Sequence, residues 1–354
     1  MENIYEKLRV KLDKMSIGYP ATKEQIEIQI IKQLFNESEA KMFVGLSPFL
    51  ETSEEICTRL GLEIEATGIL LEEMAKKGLL FRLRTNKSLR YAAAPYVPGI
   101  YEFQRHRMDK KFATIHNDYF TKELSKRMQM VKTPLLRTIP LNKSLVPNHR
   151  IAPYEDVLKI IEGQNIIAVV PCVCRTTSKL IDGRCNKSIE NCFQFGAMAD
   201  YFVENGTGRY VEKDEVKKIL KNNEKEGLVM QPYNAKKMGA LCSCCGDCCE
   251  ILRSLKMSEK PVDEVNSNYF ARLDKSLCSG CGICLERCQM DAISKVHEKA
   301  DINLYRCIGC GLCVSTCPED AILLTQKPID NLYEPPNNAM ETFMEIAKER
   351  NLMN

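Results

Sequence analysis

One stretch constrains this chain more than any other. Residues 278–318 contain Cys278-Ser-Gly-Cys281-Gly-Ile-Cys284-Leu-Glu-Arg-Cys288 and then Cys307-Ile-Gly-Cys310-Gly-Leu-Cys313-Val-Ser-Thr-Cys317-Pro318. Each half reads C-x2-C-x2-C-x3-C. Three thiols spaced in this way can wrap one iron–sulfur cubane, because a tight glycine-containing turn directs all three sulfurs inward. Gly280, Gly282, Gly309 and Gly311 are expected to let the backbone approach such a cluster with no Cβ in the way. The halves also repeat beyond the cysteines. Asp291-Ala292-Ile293 and Asp320-Ala321-Ile322 follow at the same offset, which predicts two βαβ-like units related by a pseudo-two-fold axis. Zinc is the competing explanation, but zinc sites group their ligands as two pairs, not as three plus one twice over.

With these motifs the stretch resembles the compact bacterial dicluster ferredoxin over roughly 60 residues. The resemblance implies that the fourth cysteine of each half ligates the cluster of the other half. Cluster I would then take Cys278, Cys281, Cys284 and Cys317, and cluster II would take Cys307, Cys310, Cys313 and Cys288. One position departs from the repeat. Gln289 stands where Pro318 stands in the second half, next to Cys288. A different backbone donor and a shifted potential are expected for cluster II, with ligation intact.

A chain of 354 residues is too long for one ferredoxin and predicts two or three domains. The net charge of +3 sets up no global field that would demand nucleic acid or anionic lipid. No run of about 18 apolar residues predicts a membrane span. The first ten residues lack the apolar core of a signal peptide, so a cytoplasmic protein is expected. Of the 18 cysteines, eight lie in the ferredoxin-like stretch, nine between Cys172 and Cys249, and Cys57 stands alone. Such clustering without an export signal argues for metal rather than disulfides. So large a thiol load suits an anaerobe.

In chain order, residues 1–35 alternate charged and apolar positions and predict a helical arm for docking. Residues 36–99 predict a winged-helix-like domain. Asn36 or Ser38 caps a first helix, Thr52-Ser53-Glu54-Glu55 is a capping signature, and Gly61-Leu62 makes a turn. A second amphipathic helix follows to Lys77, closed by Gly78, and then two strands flank Thr85-Asn86-Lys87. Cys57 lies on an apolar helix face and reads as a small buried hydrophobe. Glu63, Glu65, Glu72 and Glu73 on the second helix oppose phosphate, whereas Arg82, Arg84, Lys87 and Arg90 on the wing would favour it. This balance predicts a protein-binding or structural role rather than nucleic-acid binding.

Residues 100–150 read as a connector. Its prolines, Pro134, Pro140 and Pro147, mark turns, as does Pro153 just beyond it. Its basic run, Arg105-His106-Arg107 and Lys110-Lys111, reads as a solvated face. His106, His116 and His149 show no ligand-like spacing. Residues 151–265 predict an α/β domain rich in cysteine. It opens with a helix over 151–163 and a buried strand over 166–170, ending at Pro171-Cys172-Val173-Cys174-Arg175. Residues 192–204 and 214–226 read as helices, with a strand over 228–230 between the second helix and the last cysteine run. That run, Cys242, Cys244, Cys245, Cys248 and Cys249, opens another helix at Glu250. Five thiols in eight residues cannot all bind one metal, so Cys172, Cys174, Cys185 and Cys192 are expected to converge on them. An all-thiolate set suits one or two further iron–sulfur clusters, or zinc, with not every cysteine a ligand. Arg175 is placed to donate to a cluster sulfur. Residues 266–327 complete the dicluster ferredoxin unit, and 328–354 predict a tail helix.

Taken whole, the chain resembles multi-cluster 4Fe-4S proteins of anaerobic microbes, which implies a multidomain α+β protein delivering electrons to a partner oxidoreductase. Gly206-Thr207-Gly208 lacks the lysine of a phosphate loop and the third glycine of a dinucleotide fold. Two alternatives remain open: a redox-sensing DNA-binding regulator, and an enzyme using an open-site cluster within 172–249.

Overall fold

The computed structural model describes residues 3–86, 88–140, 152–183 and 185–353. The amino-terminal part is helical: α1 (Ile4–Asp13), α2 (Ile26–Leu34), α3 (Glu37–Gly45), α4 (Ser53–Leu60) and α5 (Ile64–Lys76). Reciprocal capping boxes, Asn36 with Glu39 and Thr52 with Glu55, open α3 and α4. Gly61, at φ +67°, ends α4 in the left-handed conformation that glycine adopts without strain. The hairpin of β1 (Phe81–Arg84) and β2 (Leu89–Ala92) follows, with Phe81 opposite Ala92. Lys87, at the expected turn, lies outside the described residues. Cys57 is buried and its thiol donates to the Glu63 carbonyl.

The first helices do not form a projecting arm. Leu8, Leu12, Ile30 and Ile31 are fully buried, in one core with Phe35, Phe43 and Ile346 from near the chain's end. Apolar residues at helical spacing make faces that must be covered, and here the chain covers its own. The connector is likewise part of this core. It folds into α6 (Tyr101–Phe103), α7 (Lys110–Tyr119) and α8 (Ser125–Met130), burying Phe112, His116, Tyr119 and Phe120. Arg105 is only 8% exposed, so the expectation of a solvated basic face fails there. Pro147 and His149 lie outside the described residues.

The middle of the chain builds one five-stranded sheet in the order β5-β3-β4-β7-β6. Its elements are α9 (Val157–Glu162), β3 (Ile167–Pro171), α10 (Val173–Ile181), β4 (Glu190–Phe195), α11 (Ala197–Glu204), β5 (Arg209–Tyr210), α12 (Lys213–Lys225), β6 (Val229–Pro232), β7 (Ala240–Cys244) and α13 (Glu250–Met257). Every pairing is antiparallel, which corrects the α/β expectation for this region to α+β. Cys192 also moves: it lies on β4 rather than on a helix, which begins only at Ala197 after Gly196 at φ +53°. Strand alternation divides the sheet. Val170 and Cys192 meet the amino-terminal core, while Val169 and Phe193 face a second core shared with the carboxyl-terminal unit.

That unit contains β8 (Tyr269–Leu273), α14 (Ile283–Arg287), β9 (Ile293–Val296), β10 (Lys299–Ile302) and β11 (Ile322–Gln326). β8 pairs with β11, and β9 with β10, both antiparallel. The tail helix α15 (Ala339–Glu349) returns to the start of the chain. Arg350, just beyond it, donates to the Ser16 and Asp13 carbonyls at 2.8 and 2.6 Å. Among the described residues no helix is long and apolar enough to cross a membrane.

Candidate metal centres

Two hollows lie in the carboxyl-terminal unit. One is lined by Cys278, Cys281, Cys284 and Cys317, the other by Cys288, Cys307, Cys310 and Cys313. Each therefore gathers three thiols from one half of the repeat and one from the other. Matched pairs of residues hold the two turns in left-handed conformations: Gly280 with Gly309, Gly282 with Gly311, and Asp291 with Asp320. The need for glycine is more local than the sequence suggests. A Cβ on Gly280 would sit 2.0 Å from the Glu298 carbonyl oxygen, and one on Gly309 2.1 Å from that of Tyr269, whereas one on Gly282 would meet nothing.

Backbone N–H groups point at the sulfurs, from Ala271 to Cys307 at 3.4 Å and from Ala292 to Cys288 at 3.3 Å. N–H donors of Ala300 and Gly280 hold the Cys278 thiol below its ordinary value. Burial pushes Cys284 and Cys307 up, Cys310 up to about 12, and Cys313 well above the usual range. Such thiols stay protonated until a metal supplies the charge that water no longer offers. Cys281 of the first hollow is exposed, whereas Cys284, Cys307 and Cys313 are buried, so only the first hollow carries a thiol at the surface. The donor set fits two [4Fe–4S] clusters.

The nine middle cysteines also come together, but as two groups. Six form a row in which each thiol perturbs its neighbours electrostatically, in the order Cys172, Cys174, Cys249, Cys244, Cys242, Cys192. Neighbouring thiols hold Cys172, Cys249 and Cys242 low and raise Cys174, Cys244 and Cys192. The architecture explains the row. Cys172 caps α10 at the end of β3, Cys192 on β4 is directly opposite Cys242 on β7 with sulfurs 3.7 Å apart, and Cys249 caps α13. The second group is Cys185, Cys245 and Cys248, all buried.

Residues 270–318 match the family model of a 4Fe-4S dicluster domain. No curated protein and no solved structure matches the chain.

The dicluster domain is seated on the middle thiols through the residue that breaks its repeat. Gln289 Oε1 accepts from the Gly246 N–H at 2.7 Å, inside the cysteine run. A Cβ on Gly246 would lie 2.4 Å from the Gln289 carbonyl oxygen. Arg287 adds a clamp, its Nη1 donating to the Lys225 carbonyl at 2.6 Å.

Two further residues near the thiols, Arg105 and His116, were not legible as functional. Arg105 rests on the Phe202 ring at 4.6 Å with its Nε and Nη1 unbonded, and its charge lies close enough to act on the Cys192 and Cys242 thiols. His116 bridges Tyr96 and Glu250, at 2.7 Å to each, and Glu250 follows Cys249 directly. The signal available in sequence was an aromatic and basic stripe at helical spacing, which reads equally well as core. Arg175, singled out from sequence, is buried. It donates to the Ser188 and Ser243 carbonyls at 2.9 and 2.7 Å beside Cys245.

Proposed function

We propose that this chain is an iron–sulfur electron-transfer protein that passes single electrons to or from a partner oxidoreductase. In this reading Cys278, Cys281, Cys284 and Cys317 hold cluster I, and Cys307, Cys310, Cys313 and Cys288 hold cluster II. A further iron–sulfur cluster belongs to the row of middle thiols. When bound, each cluster takes up and releases one electron without any chemistry on an organic substrate. The observation that carries the reading is the exchange of the fourth cysteine between the two hollows, which brings both sites into one small unit.

The chain's own residues supply direction. The exposed Cys281 edge, flanked by the exposed apolar side chains of Leu277 and Ile283, is where a partner docks. The second hollow connects, through Gln289, to the run of middle thiols. Residues 36–99 are taken as winged-helix-like but as a protein contact rather than a DNA reader. Arg82 and Arg84 both pair with Glu72 and Glu204, and Arg90 pairs with Glu55, which leaves these wing cations committed to carboxylates. A cytoplasmic setting in an anaerobe completes the proposal.

Iron and acid-labile sulfide in anaerobically purified protein test it. The two dicluster sites require about eight irons per chain, and one cubane on the thiol row raises this to about twelve. Reduction should give the EPR signals of interacting cubanes. Colourless protein with free or zinc-bound thiols at Cys278, Cys281, Cys284 and Cys288 would end the proposal.

A further inference from the structure

Nine cysteines in one region invite assignment to one kind of centre, but the geometry separates them. We infer that Cys185, Cys245 and Cys248 hold a single zinc ion, distinct from the row of six thiols. The inference rests on the electron-transfer reading in one respect only: the row is what remains for a redox cluster.

The spacing of the sulfurs is the first argument. Those of Cys185, Cys245 and Cys248 all lie within 4.8 Å of one another, and Cys185 and Cys245 are 3.9 Å apart. A tetrahedral ion with sulfurs at about 2.3 Å sets them about 3.8 Å from each other. In a cubane each cysteine sulfur binds a different iron at a different corner, so the sulfurs stand further apart. The dicluster domain is the internal control. Among the described residues, no three of its cysteines approach so closely, and neither do any three from the row.

The surroundings agree. Cys245 and Cys248 have the C-x2-C spacing of a zinc knuckle, and Cys185 arrives from a separate loop. Among the described residues, the three thiols share their small apolar core with Leu228. Three thiolates around a divalent ion leave one negative charge, and the buried Arg175 guanidinium, anchored on the Ser188 and Ser243 carbonyls with its Nε unbonded, lies beside Cys245. Cys248 lines a cleft together with Ser178, Asp182 and Asp247.

Zinc has no redox chemistry, and an ion shared by Cys185 and the 245–248 turn would tie two separate segments of the chain together. The turn it closes carries Gly246, whose N–H is the contact to Gln289 beside Cys288. Holding that turn holds the dicluster domain at a constant distance from the thiol row.

The test uses the full chain purified anaerobically from medium containing zinc. Zinc and iron per chain are counted by plasma mass spectrometry for the wild type, Cys185→Ser, Cys248→Ser and Cys172→Ser. The expectation is about one zinc in the wild type and in Cys172→Ser, and a fall of at least about tenfold in the other two. About eight dicluster irons should remain in all four. Zinc-edge X-ray absorption on the wild type should give three sulfurs at about 2.3 Å, a measurement that needs no variant to fold. Zinc unchanged by Cys185→Ser, zinc without sulfur neighbours, or a wild type lacking zinc that loses iron in Cys185→Ser would each overturn the assignment. Loss of the eight dicluster irons from the wild type would instead defeat the electron-transfer reading and leave the zinc count standing.

Discussion

Two glycines of the cysteine turns, one from each half of the repeat, should respond very differently to a methyl group. Gly282 and Gly309 both have positive φ, +82° and +67°. Alanine at either position is therefore placed in the left-handed region, at a cost of about 1–2 kcal/mol. At Gly282 that is the whole penalty, since a Cβ there meets nothing within 4 Å. At Gly309 the Cβ lies 2.1 Å from the Tyr269 carbonyl oxygen and 2.6 Å from Ser267 Oγ. The first of these is backbone of β8, the strand that supplies the Ala271 N–H to Cys307, and it cannot rotate aside. Overpacking of this kind adds about 1–3 kcal/mol. Gly309→Ala is thus expected to destabilise by about 2–5 kcal/mol, with the loss centred on the second hollow. The assay is thermal unfolding of the anaerobic holoprotein together with iron content. Gly282→Ala should keep its iron and unfold slightly earlier, while Gly309→Ala should lose up to about half of the dicluster iron. Equal effects of the two, or greater damage from Gly282→Ala, would mean that the glycines serve close approach to the cluster and not the strand carbonyls, and would refute the reasoning.

Two further outcomes follow from buried groups. His116→Ala removes a fully buried ring stacked on Tyr101 at 3.6 Å and leaves the Tyr96 hydroxyl and Glu250 without their shared partner, so a loss of about 3–5 kcal/mol in chemical denaturation is expected; a change under about 1 kcal/mol would contradict it. Burial pushes Glu102 up to about 8, against an unfolded value of 4.5, even though the Gly99 N–H donates to it at 2.7 Å. A carboxyl raised in the folded state binds its proton more tightly there, so its penalty is absent below pH 4.5, grows as pH rises, and is complete above about 8. Glu102 keeps some surface exposed, which makes a penalty on the order of 2–4 kcal/mol an upper range. Glu102→Gln should flatten the fall in stability between these pH values, and an unchanged pH profile would assign the slope to other groups.

Much of the carboxyl-terminal site was legible because its ligands are close in sequence. C-x2-C-x2-C prescribes a turn, and a turn is local geometry. The Asp-Ala-Ile repeat gave its period, and the left-handed Asp291 and Asp320 occupy matching places in the two halves. The capping boxes at Asn36 and Thr52 were equally local. Reading failed where an amphipathic pattern had to be assigned a partner. Leu8 and Leu12 have the spacing of a docking arm and equally of a core helix, and only the fold reveals that the chain itself covers them.

Local spacing by itself therefore determined which thiols in the dicluster domain form each turn, because a few residues of backbone are enough to direct them. The division of the middle thiols into a row of six and a group of three could not be decided in that way. Cys242 meets Cys192 through a strand register, and Cys245 meets Cys185 across a loop, so adjacent residues of one run, Cys244 and Cys245, end on opposite sides of the division. Cys244 ends β7 and Cys245 lies just beyond it, so one is placed by strand pairing and the other by the turn that follows, and pairing is a property of the assembled sheet rather than of any segment within it.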